Sequence, residues 1–277
     1  LLDPVPARVL AAHGLVDRTA ALWGIHAPDS ILAKEEARRR LAFDELLRVQ
    51  LVLVGRKRAF ERESRGIKHV VDGQLVPRFL QALPFPLTGA QQRVISEISV
   101  DLAGPHPMHR LLQGDVGSGK TVVAVNAMLM AVQGKHQGAL MAPTEVLAEQ
   151  HFAGVSRLLA GLQVPDPDHL FGDRPLRVEL LTGRVTGEKR RAILAELAAG
   201  TIDIVIGTHA LIQEGVQFAS LGVVVIDEQH RFGVEQRAAL SQKGSDASTP
   251  DVLVMTATPI PRTAAMTVYG DLDVSVL

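Results

Sequence analysis

The sequence predicts a doubly wound α/β domain with a mostly parallel sheet, preceded by an α-helical segment, on three observations. Short apolar runs at 111–113, 138–142, 178–182, 204–207, 223–226 and 252–255 alternate with helix-compatible runs near 120–133, 144–160, 187–199 and 234–242. The apolar runs are continuous rather than alternating, as in strands covered on both faces. Between the first strand and the first helix lies Gly114-Asp115-Val116-Gly117-Ser118-Gly119-Lys120-Thr121, the phosphate-binding loop pattern in the strand, loop and helix setting it requires. The expected partition is a helical linker region over 1–83 and the α/β domain over 84–277.

The elements follow in order. Residues 1–29 are broken by Pro4, Pro6, Gly14, Gly24 and Pro28 and read as a packed lead-in, extended or helical. Asp29-Ser30 can cap a long helix running to about Phe60, with a break allowed at Gly55. The stretch 56–65 holds five basic and two acidic residues, net +3, which suits a solvated helix end better than a phosphate-contacting arm. A linker through Gly66, Gly73 and Pro77 reaches a boundary at Pro84-Phe85-Pro86, after which Thr88 can cap a helix ending near Ala103. The stretch 162–176, rich in proline and aspartate, reads as a surface insertion.

Composition narrows the function classes. The chain has 277 residues, a formal net charge of −1 and no cysteine. That charge gives no global basic field for nucleic acid, so any such site must be local. Absent cysteine removes disulfide and thiolate chemistry and fits a reducing cytosol. No apolar run approaches bilayer length and the N-terminus is no secretory signal, so a cytoplasmic protein without a membrane partner is expected. His106 and His109 lack the further ligands of a zinc set, the glycines lack a dinucleotide fingerprint, and no Gly-x-Ser-x-Gly elbow occurs.

The loop residues suit a polyphosphate. Gly114, Gly117 and Gly119 let the backbone approach an anion, while Asp115, Val116 and Ser118 complete a run of inward-facing amides at a helix N-terminus. Lys120 reaches the β- and γ-phosphates as a point charge and the Thr121 hydroxyl ligates magnesium. In doubly wound sheets ligands collect at the carboxyl ends of strands, so the polar residues after each strand are informative. The run 223–226 ends in Asp227-Glu228, the first suited to magnesium and the second to polarising attacking water. His230 beside them suits coupling, as do Thr256 and Thr258 after the last apolar run. Pro143-Thr144, Gly183 and Thr208-His209 also follow strands, and their hydroxyls and helix starts suit a sugar-phosphate backbone.

Together these motifs resemble the first motor domain of a superfamily 2 helicase. The set includes Ala-Pro-Thr-Glu-Val-Leu-Ala-Glu-Gln-His, Ile-Gly-Thr-His-Ala-Leu, Ile-Asp-Glu-Gln-His-Arg-Phe-Gly-Val and Met-Thr-Ala-Thr-Pro-Ile-Pro-Arg-Thr. More narrowly the chain is similar to the RecG family of bacterial ATP-dependent DNA helicases, which remodel stalled forks and Holliday junctions. The resemblance implies a RecA-like fold, ATP and Mg2+ as cofactors, and branched or single-stranded DNA as partner. It implies catalytic roles for Lys120, Asp227, Glu228 and His230, metal ligation by Thr121 and Asp227, and adenine recognition by Gln91 with Phe85 near the base. Pro143, Thr144, Gly183, Thr208 and His209 would touch DNA, and Thr256 and Thr258 would couple the two sites. It further implies a second motor domain and a wedge domain of the same polypeptide, neither present in these residues, and little hydrolysis by this segment alone. A transcription-repair coupling translocase and a non-catalytic nucleotide-binding module are the alternatives.

Overall fold

A computed structural model describes residues 2–166, 172–213, 215–227, 248–258 and 272–277. The chain divides into two compact units at Ala59/Phe60.

The first unit is helical. Helices α1 (Ala7–His13), α2 (Arg18–His26) and α3 (Ile31–Glu63) follow one another, and α3 runs unbroken through Gly55 and past the unit boundary. The expected cap is present, with the Ser30 hydroxyl accepting from the Ala33 amide at 3.1 Å. Arg40 is fully buried and joins the N-terminal segment to α3, pairing with Asp3 at 2.7 Å and with Asp44 one turn on. A buried guanidinium stays favourable only with such partners.

The second unit begins with residues 60–83, which the sequence grouped with the helical region. Strand β1 (Arg65–Gly66) is followed by α4 (Leu75–Ala82), a helix where an irregular linker was expected. Pro77 had suggested a linker, but it falls in the first turn of α4, where a residue without an N–H costs no helical hydrogen bond. Leu75, Val76 and Phe79 of α4 are buried in the main core.

Then come α5 (Gly89–Leu102), β2 (His109–Gln113), α6 (Lys120–Gln133), β3 (Gln137–Met141) and α7 (Glu145–Leu158). The stretch expected as an insertion forms a small antiparallel pair, β4 (Gln163–Pro165) and β5 (Asp173–Pro175). The chain continues through β6 (Val178–Leu181), α8 (Gly187–Ala199), β7 (Ile204–Gly207), a short 3-10 turn at His209–Ile212 and β8 (Leu221–Asp227). Strands β9 (Ser248–Thr249), β10 (Asp251–Thr256) and β11 (Asp273–Val276) complete the described elements, β9 pairing with β1. The helix expected near 234–242 lies outside the described residues.

The main sheet has the order β11-β2-β10-β8-β3-β7-β6, and every pairing in it is parallel. The six expected strands are all in it, while β11, with only Val274 and Val276 as apolar signal, was not expected. Its edge is held by Arg110 of β2, which donates to Ser275 at 2.7 Å and pairs with Asp101 of α5 at 2.6 Å. The core centres on α6, whose residues from Val122 to Val132 are buried all round the helix as it packs on β3, β8, α4 and α5.

Beneath the amino end of the sheet lies a buried polar group. His69 Nε2 meets Asp251 Oδ2 at 2.8 Å, the other Asp251 oxygen accepts from the Met108 amide at 2.5 Å, and His136 Nδ1 meets Ser220 Oγ at 2.7 Å. His136 packs edge-on against His69, with ring centroids 5.4 Å apart. Burial first, and the neighbouring His69 second, hold His136 below the ordinary histidine value of 6.5. A depressed folded value means that His136 contributes stability above 6.5 that is lost as pH falls through the folded value. Burial pushes Asp251 the opposite way, so the comparison of two proteins isolates His136. His136→Gln is expected to lose less unfolding midpoint than the wild type between about pH 7 and about pH 5.5. Equal losses in a thermal-unfolding series would show that His136 carries no such linkage.

Candidate functional site

The strand registers align one edge. Gln113 of β2 lies opposite Thr256 of β10, Asp227 of β8 opposite Met255, Met141 of β3 opposite Ile226 and Gly207, and Leu181 of β6 opposite Gly207. All these strands therefore end together, and every predicted residue that follows a strand within the described residues lies along this one carboxyl edge. The edge has two halves, with the phosphate loop, Asp227 and Thr256 at β2, β8 and β10. Pro143-Thr144, Gly183 and Thr208-His209 lie at β3, β6 and β7.

In the first half, Gly117 (φ 82°) and Gly119 (φ 87°) take the left-handed backbone that suits glycine, and Gly119 leads directly into α6. Lys120 Nζ turns back over the loop and donates to the carbonyls of Gly114 and Asp115, each at 2.8 Å. Ser118 Oγ is buried and has no hydrogen-bond partner among the described residues. A Cβ on Gly114 would come within 2.6 Å of it. Asp115 and Val116 are exposed at the loop tip, and Thr121 is half-buried in the first turn of α6. The first amides of any helix lack intrahelical acceptors and carry its positive end, so the arrangement is an anion cradle.

Gln91 is placed otherwise than adenine recognition alone would ask. It is buried at the start of α5, where its Oε1 accepts from the Thr88 amide at 2.9 Å and its own amide donates to Thr88 Oγ1 at 3.2 Å. This closes a reciprocal cap, and Gln91 Nε2 then donates to the Ser118 carbonyl at 2.9 Å. Gln91 is thus a brace between α5 and the loop. A side chain on Gly119 would collide with the same Gln91 amide. Phe85 is 44% exposed on the segment leading into α5.

Thr256 is buried, and its carbonyl accepts from the Gly114 amide at 3.2 Å, joining β10 to the first residue of the loop. Its hydroxyl accepts from the Thr258 amide at 3.2 Å, and the Thr258 carbonyl accepts from Gln113 Nε2 at 3.2 Å. Glu228 and His230, and with them the expected contacts of the two threonines, lie outside the described residues.

Asp227 has a partner that sequence reasoning missed. Its Oδ2 lies 2.5 Å from Nε2 of His151 on α7, both side chains being 15% exposed. Sequence spacing does put His151 between Ala148 and Val155, the buried positions of α7. Nothing in the sequence says that this face meets the end of β8.

In the second half, Thr144 is exposed and caps α7, its hydroxyl accepting from the Leu147 amide at 3.3 Å, with Pro143 half-buried before it. Gly183 is exposed, and Arg184 beside it pairs with Glu145 of α7 at 2.9 Å. Thr208 is buried and caps the following 3-10 turn, leaving His209 exposed. These surfaces present helix and turn starts with their amides and hydroxyls, and the exposed Arg184, Lys189 and Arg191 lie beside them in the loop after β6 and the first turns of α8. Among the described residues no helix is long and apolar enough to cross a membrane.

The model of the DEAD/DEAH box helicase family matches residues 88–267. The chain is 48% identical over 277 residues to the ATP-dependent DNA helicase RecG of Bacillus subtilis, covering 100% of the chain and 38% of that relative. It is 50% identical over 275 residues to the Synechocystis protein of the same name, covering 99% of the chain and 31% of that relative. Among solved structures, RecG bound to a three-way DNA junction superposes with a TM-score of 0.81 at 41% identity, over 100% of this chain and 35% of that one. Mss116p bound to ssRNA and AMP-PNP shares the fold at a TM-score of 0.51 and 20% identity, over 75% of this chain and 43% of that one. The chain thus spans little more than a third of the Bacillus relative's length.

The brace predicts a specific phenotype. Gln91→Ala is expected to weaken ATP and GTP binding by the same factor, roughly fivefold, as the loop loses a bracing hydrogen bond worth about 1 kcal/mol. Equilibrium titration with both nucleotides checks this; a loss confined to ATP would mean that the amide reads the base instead.

Proposed function

We propose that this chain, which belongs to the DEAD/DEAH box helicase family, is the ATP-binding part of a DNA helicase or translocase acting on branched DNA in recombination and repair. Replication forks and Holliday junctions are the expected substrates. The observation that carries the reading is the shared carboxyl edge, with an anion cradle and a carboxylate at one half and capped helix starts at the other. The likeness to proteins named ATP-dependent DNA helicase RecG, and to one bound to a three-way DNA junction, supports it. Those matches do not favour the transcription-repair coupling alternative.

The residues fit MgATP. Ser118 Oγ is a buried polar atom without a protein partner among the described residues, and the loop is shaped by glycines at which side chains would intrude or be strained. Lys120 would hold the β- and γ-phosphates, and Thr121 and Asp227 the Mg2+ ion. When bound, the metal neutralises charge on the transferred phosphoryl group. Lys120 adds a fixed positive charge on the same oxygens, and Glu228 orients and deprotonates the attacking water. Gln91 keeps the loop braced, with Phe85 available to pack near the base. Pro143, Thr144, Gly183, Thr208 and His209 would hold a DNA strand by its backbone. The hydrogen bonds that the Thr256 and Thr258 carbonyls accept from the Gly114 amide and Gln113 Nε2 give a short route between the loop and β10, and His230 is the further coupling residue.

A proposed partition into a helical region over 1–83 and a motor domain over 84–277 accompanies this reading. A second motor domain and a wedge domain would complete the machine. Catalytic arginine supplied from outside a phosphate-loop domain contributes factors of about a thousand or more, so the 277-residue chain alone is expected to turn over slowly.

Titration with a fluorescent ATP analogue, with and without forked DNA, while following phosphate release, tests this. Expected are Mg2+-dependent binding and negligible release by the chain alone. In the protein at full natural length, fork unwinding should be lost on Lys120→Ala together with nucleotide binding, and on Glu228→Gln with nucleotide binding retained. Unwinding by either variant at the wild-type rate would overturn the site assignment. Nucleotide binding with no DNA-dependent effect at full natural length would favour a non-catalytic module.

A further inference from the structure

The contact between His151 and Asp227 joins the two halves of the edge. Helix α7 packs on β6 and β7, the strands whose ends carry Gly183, Thr208 and His209. Its first turn begins at the Thr144 cap and is tied to the loop after β6 by the Glu145–Arg184 pair at 2.9 Å. Seven residues after Thr144, about two helical turns, His151 returns to the same face. There it reaches across β3 to the carboxylate at the end of β8. Ala148 and Val155, both fully buried, flank it on that face and fix the helix against the sheet.

We infer that His151 is a positioning residue, which orients the Asp227 carboxylate and transmits to it the engagement of the β3–β7–β6 half of the edge. The chemistry follows from the two groups. A carboxylate only accepts hydrogen bonds, so the ring nitrogen facing Asp227 carries the proton and donates it. That bond occupies Oδ2, fixes the carboxylate rotamer and leaves Oδ1 as the oxygen open to a metal or its water. Partners behind a metal-binding carboxylate act in this way on metal affinity. Because α7 is a short, well-packed rigid rod, displacement of its capped end by a bound DNA backbone moves His151 with it. The carboxylate then moves too, so metal affinity and DNA occupancy are linked, each altering the other by the same factor.

The inference rests on the reading of the loop and Asp227 as an MgATP site, and its test separates the two. At full natural length, binding of the fluorescent ATP analogue is measured against Mg2+ concentration, and in EDTA, with and without forked DNA. His151→Gln keeps an amide donor at comparable reach, whereas His151→Asn is polar but too short. The Asn variant is expected to need about tenfold more Mg2+ for half-maximal binding, with its binding in EDTA unchanged and the effect of DNA on nucleotide affinity reduced toward none. The Gln variant should stay within about twofold of wild type. Thermal unfolding confirms that each is folded, and the Asn–Gln contrast holds the test even where His151→Ala does not fold. An Asn variant with the wild-type Mg2+ midpoint and wild-type DNA effect would overturn the positioning role while leaving the nucleotide site intact. Failure of the wild type to bind nucleotide, as Lys120→Ala is expected to fail, would instead remove the site on which the inference stands.

Discussion

Burial of α6 on all sides is the constraint from which the rest of the second unit follows. A helix apolar around its whole circumference has no solvent face, so it must be enclosed. The sheet closes one side through β3 and β8, and α4 and α5 close the other. Enclosure fixes the helix axis, and with it the position of its N-terminus. That terminus presents the glycine loop at the carboxyl edge of the sheet, with the first-turn amides at its mouth and Lys120 folded back over the loop. Residues that read as linker, such as Leu75, Val76 and Phe79, are drawn into the core because α6 needs covering.

Parallel pairing then organises the edge. Since all the main-sheet strands run in one direction, the residues after them lie in one row, and chemistry from distant parts of the chain becomes contiguous. Position within the row decides with what each residue can communicate. Thr256 of β10 accepts from the first amide of the loop, and Gln113 of the adjacent β2 donates to the Thr258 carbonyl just past β10. Asp227 lies at the junction of the two halves and is reached by His151 from a helix that otherwise covers the far strands. An arrangement in which one helix touches both halves allows one binding event to be felt at the other without any long pathway.

On the proposed reading, a chain with a formal net charge of −1 would meet nucleic acid through this one local edge. Helix starts and capped turns at β3, β6 and β7 provide amides and hydroxyls, whose contacts to phosphate need no excess of lysine and arginine. Arg110 ties the edge strand and Arg174 pairs with Asp203, while Arg184, 69% exposed, pairs at the surface with the first turn of α7.

The sequence by itself determined the class of fold, the six strands with strong apolar runs, the loop and the carboxylate after 223–226. It could do so because continuous apolar runs, glycines before Lys120 and helix caps such as Ser30, Thr88 and Thr144 are local signals, readable within a few residues. The tertiary structure alone decided the rest. The helical state of 75–82 depended on a core that needed covering, and β11 on an arginine of the adjacent strand β2, far away in the chain, rather than on its own two valines. Gln91, for which the resemblance implies a place at the base, is held by its neighbours in space as a brace between α5 and the loop. His151 closes one of the quoted motifs, but only strand order sets its helix beside the end of β8 and gives it Asp227 as a partner. Each of these is a contact between residues far apart in the chain, and such contacts are fixed by packing, about which neighbouring residues carry no information.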